Sequence, residues 1–396
     1  MWWLGFVLHE AGFSLLLILL PLYVVSIGGS LIDIGIMCMM GQLVTIPASM
    51  FWGYACDRAR SYKLFILLSF LSLSIATYFL IMVTKVSHLI ALYVLLSIFH
   101  SAHGPPRNAL IAELYTYEEW KRSFAVFEEF AEVGRLIGLL AGAYISFSGA
   151  STTSLIILCS SLHIAAFLMS IVLIRDPILI LERRLIAMKR AVDLVDRGTY
   201  AFCRALNGFP SAYSLKEVDA KAFCVGLTLF QAASSMLFTP MPVFLLRELA
   251  LEQGLVFTIY TLNSLGVVLG YLYLIYRSDE NAEKASLLKK VVLLRSATVF
   301  LMLIALSSTF NVAIITALLT LLGYLYALFY ACVLTISMEL LPPKKVGLTD
   351  AIMNLGSVCG AFIGPLIADK VGFNYMFLLS GLTFFASFIA FKVFNR

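Results

Sequence analysis

Charge is what this sequence has least of. Only 13% of its 396 residues are Asp, Glu, Lys or Arg, about half the share of a water-soluble domain, whereas 61% are hydrophobic. That leaves too little polar surface to cover a soluble globule of this length, and so excludes one. Missing too are the short patterns that carry hydrolytic or nucleotide-driven chemistry. The run His9-Glu10-Ala11-Gly12-Phe13 lacks the second histidine of a zinc-protease HExxH, and neither a GxSxG elbow nor a Gly-rich phosphate loop with its lysine occurs. A membrane-embedded enzyme is therefore the least favoured reading, and a pump that hydrolyses nucleotide unaided is excluded. The seven cysteines are odd in number, scattered and without a CxxC pair, so they read as small hydrophobes rather than zinc ligands or disulfides. No cofactor or metal is expected. The 28 basic residues outnumber the 23 acidic ones, but they sit in short intervals between apolar runs, which argues for membrane topology and against nucleic acid as a partner.

What the chain does have is long apolar runs. Twelve approach the ~20 residues needed to cross a ~30 Å hydrocarbon core, from 2–25 to 373–393. The first lacks a basic leader and a small-residue cleavage site, and is expected to stay as a span. One polar interval, Arg175 to Lys221 with nine Lys or Arg, divides the runs six and six. The expected fold is thus all-α: a polytopic membrane protein with 12 transmembrane helices as two pseudo-symmetric six-helix halves, residues 1–174 and 222–396. Residues 175–221 form a linker in which Leu181, Leu185, Met188, Val192 and Val195 recur at helical spacing opposite Arg183, Arg184 and Arg190, the pattern of a helix lying on the bilayer surface. With both termini cytoplasmic, 22 basic residues lie inside and three outside, so a multi-pass cell-membrane protein in that orientation is expected.

Internal repetition supports two halves. A shift of 226 residues superposes Gly134 and Gly138 on Gly360 and Gly364, in spans five and eleven, along with five other identities from Glu113 to Leu140. A shift of 221, anchored on Pro21 and Pro242, sets Gln231 opposite Glu10. Small residues every fourth position, as at Gly134, Gly138 and Gly142, make a flat helix face that a neighbouring backbone can approach.

Two charged stripes stand out against the apolar spans. His100, His103 and Arg107 fall at i, i+3 and i+7 in span four, and Glu128, Glu132 and Arg135 at i, i+4 and i+7 in span five, so each trio shares one helix face. Counting from the ends of their helices, the two stripes meet near the membrane midplane, with Glu10 of span one as a third element. An ionised group in hydrocarbon costs at least ~2.5–3.5 kcal/mol, which directs such stripes toward a protein interior or watery cavity. Either a buried structural network or a proton and substrate path satisfies that demand. If rocking of the halves separates Glu132 from Arg135, or Glu10 from the histidines, a proton is taken up in one state and released in the other. For His9, snorkelling to the inner surface is the bland alternative, one that the short stem of Glu10 makes poor for its neighbour; Arg295 is read as reaching that surface, and His163 as a lone core histidine.

Three short motifs resemble the major facilitator superfamily. Gly53, Asp57, Arg58, Arg60 and Lys63, after span two, are similar to its signature loop. His100-Ser-Ala-His103-Gly104 is similar to its fourth-span Arg-x-x-Gln-Gly, with histidines for Arg and Gln. Gly134, Gly138 and Gly142 are similar to the glycine motif of its exporters, with Leu139 in place of proline, which follows Gly364 instead. The resemblance implies a secondary transporter alternating its halves about a central site, with Asp57 docking against the start of span eleven, near Asp350, as a conformational latch. The function then expected is proton-coupled export, by an antiporter acting as a monomer, of a small lipophilic or cationic solute. Uptake or facilitated diffusion of a sugar, organic acid or other metabolite, held by Arg107 and Arg135, stands as the alternative.

Overall fold

A computed structural model describes residues 2–59, 61–115, 120–176, 217–276, 284–306, 311–340 and 346–394. The amphipathic segment expected at 181–195 lies outside the described residues. Everything described is helix or short connection. In the first half α1 (Leu4–Ser26), α2 (Leu31–Ala59), α3 (Tyr62–Phe79), α4 (Val86–His100), α5 (Gly104–Leu114), α6 (Trp120–Phe147) and α7 (Thr152–Leu173) run in order. The second half comprises α8 (Glu217–Phe238), α9 (Met241–Arg247), α10 (Gln253–Tyr276), α11 (Lys284–Ala305), α12 (Asn311–Leu340), α13 (Val346–Lys370) and α14 (Phe373–Phe394). Among the described residues, eleven spans are long and apolar enough to cross a membrane. The twelfth, α11, carries Lys284, Lys289, Lys290 and Arg295, which lower its apolar character without shortening it. Large apolar side chains such as Leu168, Val172, Leu301 and Ile304 stand exposed, a surface suited to lipid.

Span four is α4 and α5 joined by a 3-10 turn at Ser101–His103, because Pro105 and Pro106 have no N–H to return to the carbonyls a turn earlier. Span seven breaks the same way between α8 and α9, at Pro240 and Pro242. Pro21, Pro47 and Pro365 lie inside helices that continue through them. The connections are capped locally. Asp33 accepts from the Ser30 backbone N–H at 2.8 Å while Ser30 Oγ accepts from the Asp33 N–H at 3.2 Å, a reciprocal cap at the start of α2. Gly149 after α6 and Gly372 after α13 have φ of +74° and +109°, the left-handed conformation that ends a helix at little cost only for glycine. α8 begins at Glu217, about a turn before the start of the second half expected at 222.

The glycine ladders set how the helices of each half meet. A Cβ at Gly134 or Gly138 would collide with the backbone carbonyls of Val7 or Ala11 in α1, and one at Gly142 with the Leu15 side chain. In the second half Gly356, Gly360 and Gly364 of α13 bear on Thr228, Ala232 and Met236 of α8. Since Thr228, Ala232 and Met236 are each 221 positions after Val7, Ala11 and Leu15, the matching glycines are 222 positions apart, not 226. The expected superposition of Gly134 on Gly360 is thus one helical turn out. Gly138 corresponds to Gly360, and Gly142 to Gly364.

The halves touch at the end of the bundle away from the termini. Gly35 of α2 lies against Pro365 and the Ala361 and Phe362 carbonyls of α13, and Gly254 of α10 against the Phe147 ring of α6.

Candidate functional site

Between spans one, four and five the sequence's two charged stripes come together. Arg135 lies on α6 facing α1, where Ser14 Oγ donates to its backbone carbonyl at 3.2 Å. Its guanidinium bridges two carboxylates: Nε donates to Glu10 Oε2 at 3.1 Å and Nη1 to Glu132 Oε1 at 2.5 Å. Glu10 and Glu132 are buried, whereas Arg135 is half-exposed between the halves. One turn toward the termini, Arg107 of α5 meets Glu128 of α6 at 3.5 Å and lies 5.0 Å over the Phe127 ring. Tyr271 and Tyr326 of the second half stand within electrostatic range of Glu128 and Glu132.

Glu10, Glu132 and Arg135 form one ion-paired set, and Arg107 with Glu128 a second, one turn away on the same side of α6. The mechanism attached to them needs correcting. Glu132 and Arg135 are three residues apart on one helix and Glu10 is on its packing partner, so rigid rocking of the halves cannot part them.

His100 and His103 face elsewhere. His103 is buried in the 3-10 turn, with its ring centroid 4.7 Å from that of His9, and His100 stacks on Phe13 at 3.6 Å. His9 does not snorkel: it is fully buried. His163 is not alone: its Nδ1 lies 3.2 Å from Nδ1 of His9. Pro105 and Pro106 open the turn that sends His103 inward, so four of the chain's five histidines form one cluster.

Arg295 is a second correction. It does not reach the surface but is fully buried in the second half, stacked 4.9 Å over Phe230 and 5.1 Å over Phe384, with Nη1 donating to the Leu322 carbonyl at 3.1 Å. Among the described residues no carboxylate reaches it within ion-pair distance. At the position matching the Glu10–Arg135 ion pair the second half has Gln231 Nε2 donating to Ser357 Oγ at 3.5 Å, a neutral contact in the same 221 and 222 register.

The signature residues Gly53, Asp57 and Arg58 are not in a loop but in the last turns of α2, where the nearest neighbour of Gly53 is Pro105, Asp57 is exposed, and exposed Arg58 donates to the Tyr54 hydroxyl at 3.4 Å. Arg60 lies outside the described residues. Asp176, which sequence reasoning passed over, clasps the following turn by accepting from Ser61 Oγ at 2.7 Å and the Lys63 backbone N–H at 2.9 Å. Its position just past the last residue of α7 gave no local signal.

With this geometry in hand, comparison with known proteins is direct. The sequence profile of the Major Facilitator Superfamily matches residues 2–349, with a second match over 223–396. The chain belongs to the Major Facilitator Superfamily. Members of known structure share its fold end to end. A bacterial homologue of the human lysosomal transporter Spinster, in an inward-facing and occupied conformation, superposes with a TM-score of 0.68 over 100% of this chain and 95% of its own, at 13% identity. The nucleoside transporter NupG gives 0.70 over 100% of both chains at 12% identity. A bacterial homologue of the iron transporter ferroportin, inward-facing, gives 0.67 over 100% of this chain and 98% of its own at 14% identity. Among curated sequences, multidrug resistance protein MdtG of Klebsiella pneumoniae (strain 342) is 30% identical over 179 residues, 44% of this chain and 43% of MdtG. The aligned region is thus less than half of that relative. As a superfamily member the chain is a multi-pass membrane transporter rather than an enzyme.

Proposed function

We propose that this superfamily member is a proton-coupled exporter of a small lipophilic or cationic solute, acting as a monomer with its termini in the cytoplasm. One observation carries the reading: among the described residues three carboxylates, Glu10, Glu128 and Glu132, face two guanidinium groups, Arg107 and Arg135, in a largely buried site. One negative charge is left over, and a proton or a cationic solute is what balances it. Competition between the two for the same charge is the essence of exchange. Glu132, bonded on one side and facing Tyr271 and Tyr326 of the opposite half, is the proton carrier in this reading. Rocking changes how the second half covers Glu132, and so its access to water, without parting it from Arg135. The partial likeness to MdtG, a multidrug resistance protein, favours export. The alternative, in which Arg107 and Arg135 hold an organic acid, is disfavoured because both guanidiniums already have carboxylate partners. Contacts at the end away from the termini, with Asp57 exposed at the other, correspond to an inward-open state with the latch undone.

The test is solute-dependent proton movement in reconstituted vesicles, screened over lipophilic cations, sugars and amino acids. Glu132→Gln is expected to fold, to lose accumulation driven by a pH gradient, and to keep exchanging solute down its own gradient. Full gradient-driven transport by that variant would refute the assignment.

A further inference from the structure

The four clustered histidines have no part in the proposed exchange, and their polar atoms are unusually idle. His9 Nε2, His100 Nδ1 and His163 Nε2 are all buried with no hydrogen-bond partner among the described residues. Buried polar atoms in native proteins are nearly always satisfied, so three in one cluster call for an explanation. We propose that His9, His100 and His103 bind a divalent transition-metal ion of the zinc class within the first half.

Three observations support this. One ring nitrogen from each of the three lies within 4.8 Å of the others. Tetrahedral ligands at zinc–nitrogen distances of ~2.0–2.1 Å stand ~3.4 Å apart, so side-chain rotations that close the widest gap by little more than an ångström complete the site. Next, the outer nitrogens are already held. His9 Nδ1 is hydrogen-bonded to His163 at 3.2 Å, and His103 Nδ1 to Ser69 Oγ at 3.4 Å, while His9 Nε2 stays free to ligate. A metal-binding histidine typically has its second nitrogen fixed in this way, which sets tautomer and ring orientation. Finally, the second half fills the corresponding space without imidazole. Phe230 and Phe384 are each 221 positions after His9 and His163, and Phe329 stacks on Phe230 where His103 packs on His9. Packing at this place therefore does not require histidine.

The ligands are neutral imidazoles from α1 and from the opened turn of span four, a donor set that suits Zn2+, Co2+ or Ni2+ and not Mg2+ or Ca2+. His100 is the only member of the trio not classed as buried, so it marks the way in. Three protein ligands leave a fourth position for water or solute.

Full-length protein prepared without an appended histidine tag is titrated with Co2+ as a spectroscopic probe and then challenged with Zn2+. The expected result is one saturable Co2+ per chain with the visible absorption of a four- or five-coordinate nitrogen site, displaced by Zn2+ and not by excess Mg2+. His9→Phe and His103→Phe, which copy the second half, should weaken binding at least 100-fold, and His163→Phe, which removes the outer hydrogen bond, about 10- to 100-fold. Absence of saturable Co2+ binding by the unmodified chain overturns the proposal whatever the variants do. So does binding that survives His9→Phe and His103→Phe. Both readouts are at equilibrium without solute, and stand or fall apart from the transport reading.

Discussion

Replacing the Glu10–Arg135 pair by the second half's own solution gives a quantitative test of the network. Arg135→Ser leaves Glu10 and Glu132, with side chains 9% and 6% exposed, facing each other without their shared cation. Removing one partner of a fully buried pair costs ~3–5 kcal/mol. The Arg135 side chain is 37% exposed, so solvent takes up part of the lost interaction and ~2–3 kcal/mol is the better expectation. Glu10→Gln is milder, since Arg135 keeps Glu132: loss of one hydrogen bond to a charged group, ~1.5 kcal/mol. The double variant copies Gln231 and Ser357, a combination the opposite half already tolerates. It leaves one carboxylate, Glu132, which escapes its isolation by binding a proton. The two changes together should therefore cost less than their sum, by about 1–2 kcal/mol. Equilibrium unfolding of purified protein in mixed detergent micelles measures all four corners of the cycle. Additivity within ~0.5 kcal/mol would mean that the guanidinium and Glu10 do not feel each other, and the charge argument behind the proposed function would fall with it.

Four further outcomes are expected. Gly138→Ala and Gly360→Ala, whose new methyl groups run into the Ala11 and Ala232 carbonyls, should each destabilise by ~1–3 kcal/mol, while Gly104→Ala, where a Cβ meets nothing within 4 Å, should be neutral or mildly stabilising in the same unfolding assay. Asp57→Asn removes an acid that gains ~0.3–1 kcal/mol against a helix N-terminus, so it should slow vesicle transport while solute affinity and expression hold; unchanged turnover counts against the latch. Arg295→Met exchanges a cation held among Phe230, Phe384 and Tyr326 for hydrocarbon of similar length and should cost under ~1.5 kcal/mol, whereas Arg295→Ala opens a cavity and should cost ~2–5 kcal/mol; equal losses would mean that the charge, not the volume, is what the site needs. Single-cysteine labelling of the interval between the halves should succeed only from the cytoplasmic face, and labelling only from outside inverts the topology.

The spans were legible because length is decisive: a helix that must cross ~30 Å of hydrocarbon announces itself in any window of 20 residues. The helix breaks come at Pro105-Pro106 and Pro240-Met-Pro242, where two prolines fall together or nearly so, and not at Pro21 or Pro47, where one proline is absorbed by neighbours. The repeat was found but in the wrong register. A ladder with glycine every fourth residue looks nearly the same after a shift of four, since two of its three rungs still coincide, and only the helix it packs against removes the degeneracy. The curated match gives no help there, covering 44% of the chain.

The charged stripes were legible for a related reason: ionised residues are rare in spans, and helical spacing says which of them share a face. What spacing cannot say is which face meets which. Arg135 could have been paired with any carboxylate at its depth, and its bridging of Glu10 and Glu132 fixes the logic of the site more than its presence does. A pair within one turn of one helix is constant through any rigid motion of the halves. Whatever varies between states must come from across the interface, where Tyr271 and Tyr326 lie within electrostatic range of the carboxylates and Arg295, without a carboxylate partner among the described residues, lies 5.6 Å from the Tyr326 ring centroid. Histidines behave oppositely. His9 and His163 are 154 residues apart; apolar neighbours make His163 look like an isolated core residue, Glu10 makes His9 look like half of a charged pair, and nothing local distinguishes a satisfied imidazole from one of four. Only the second half gives the clue, by placing phenylalanine where the first half keeps nitrogen.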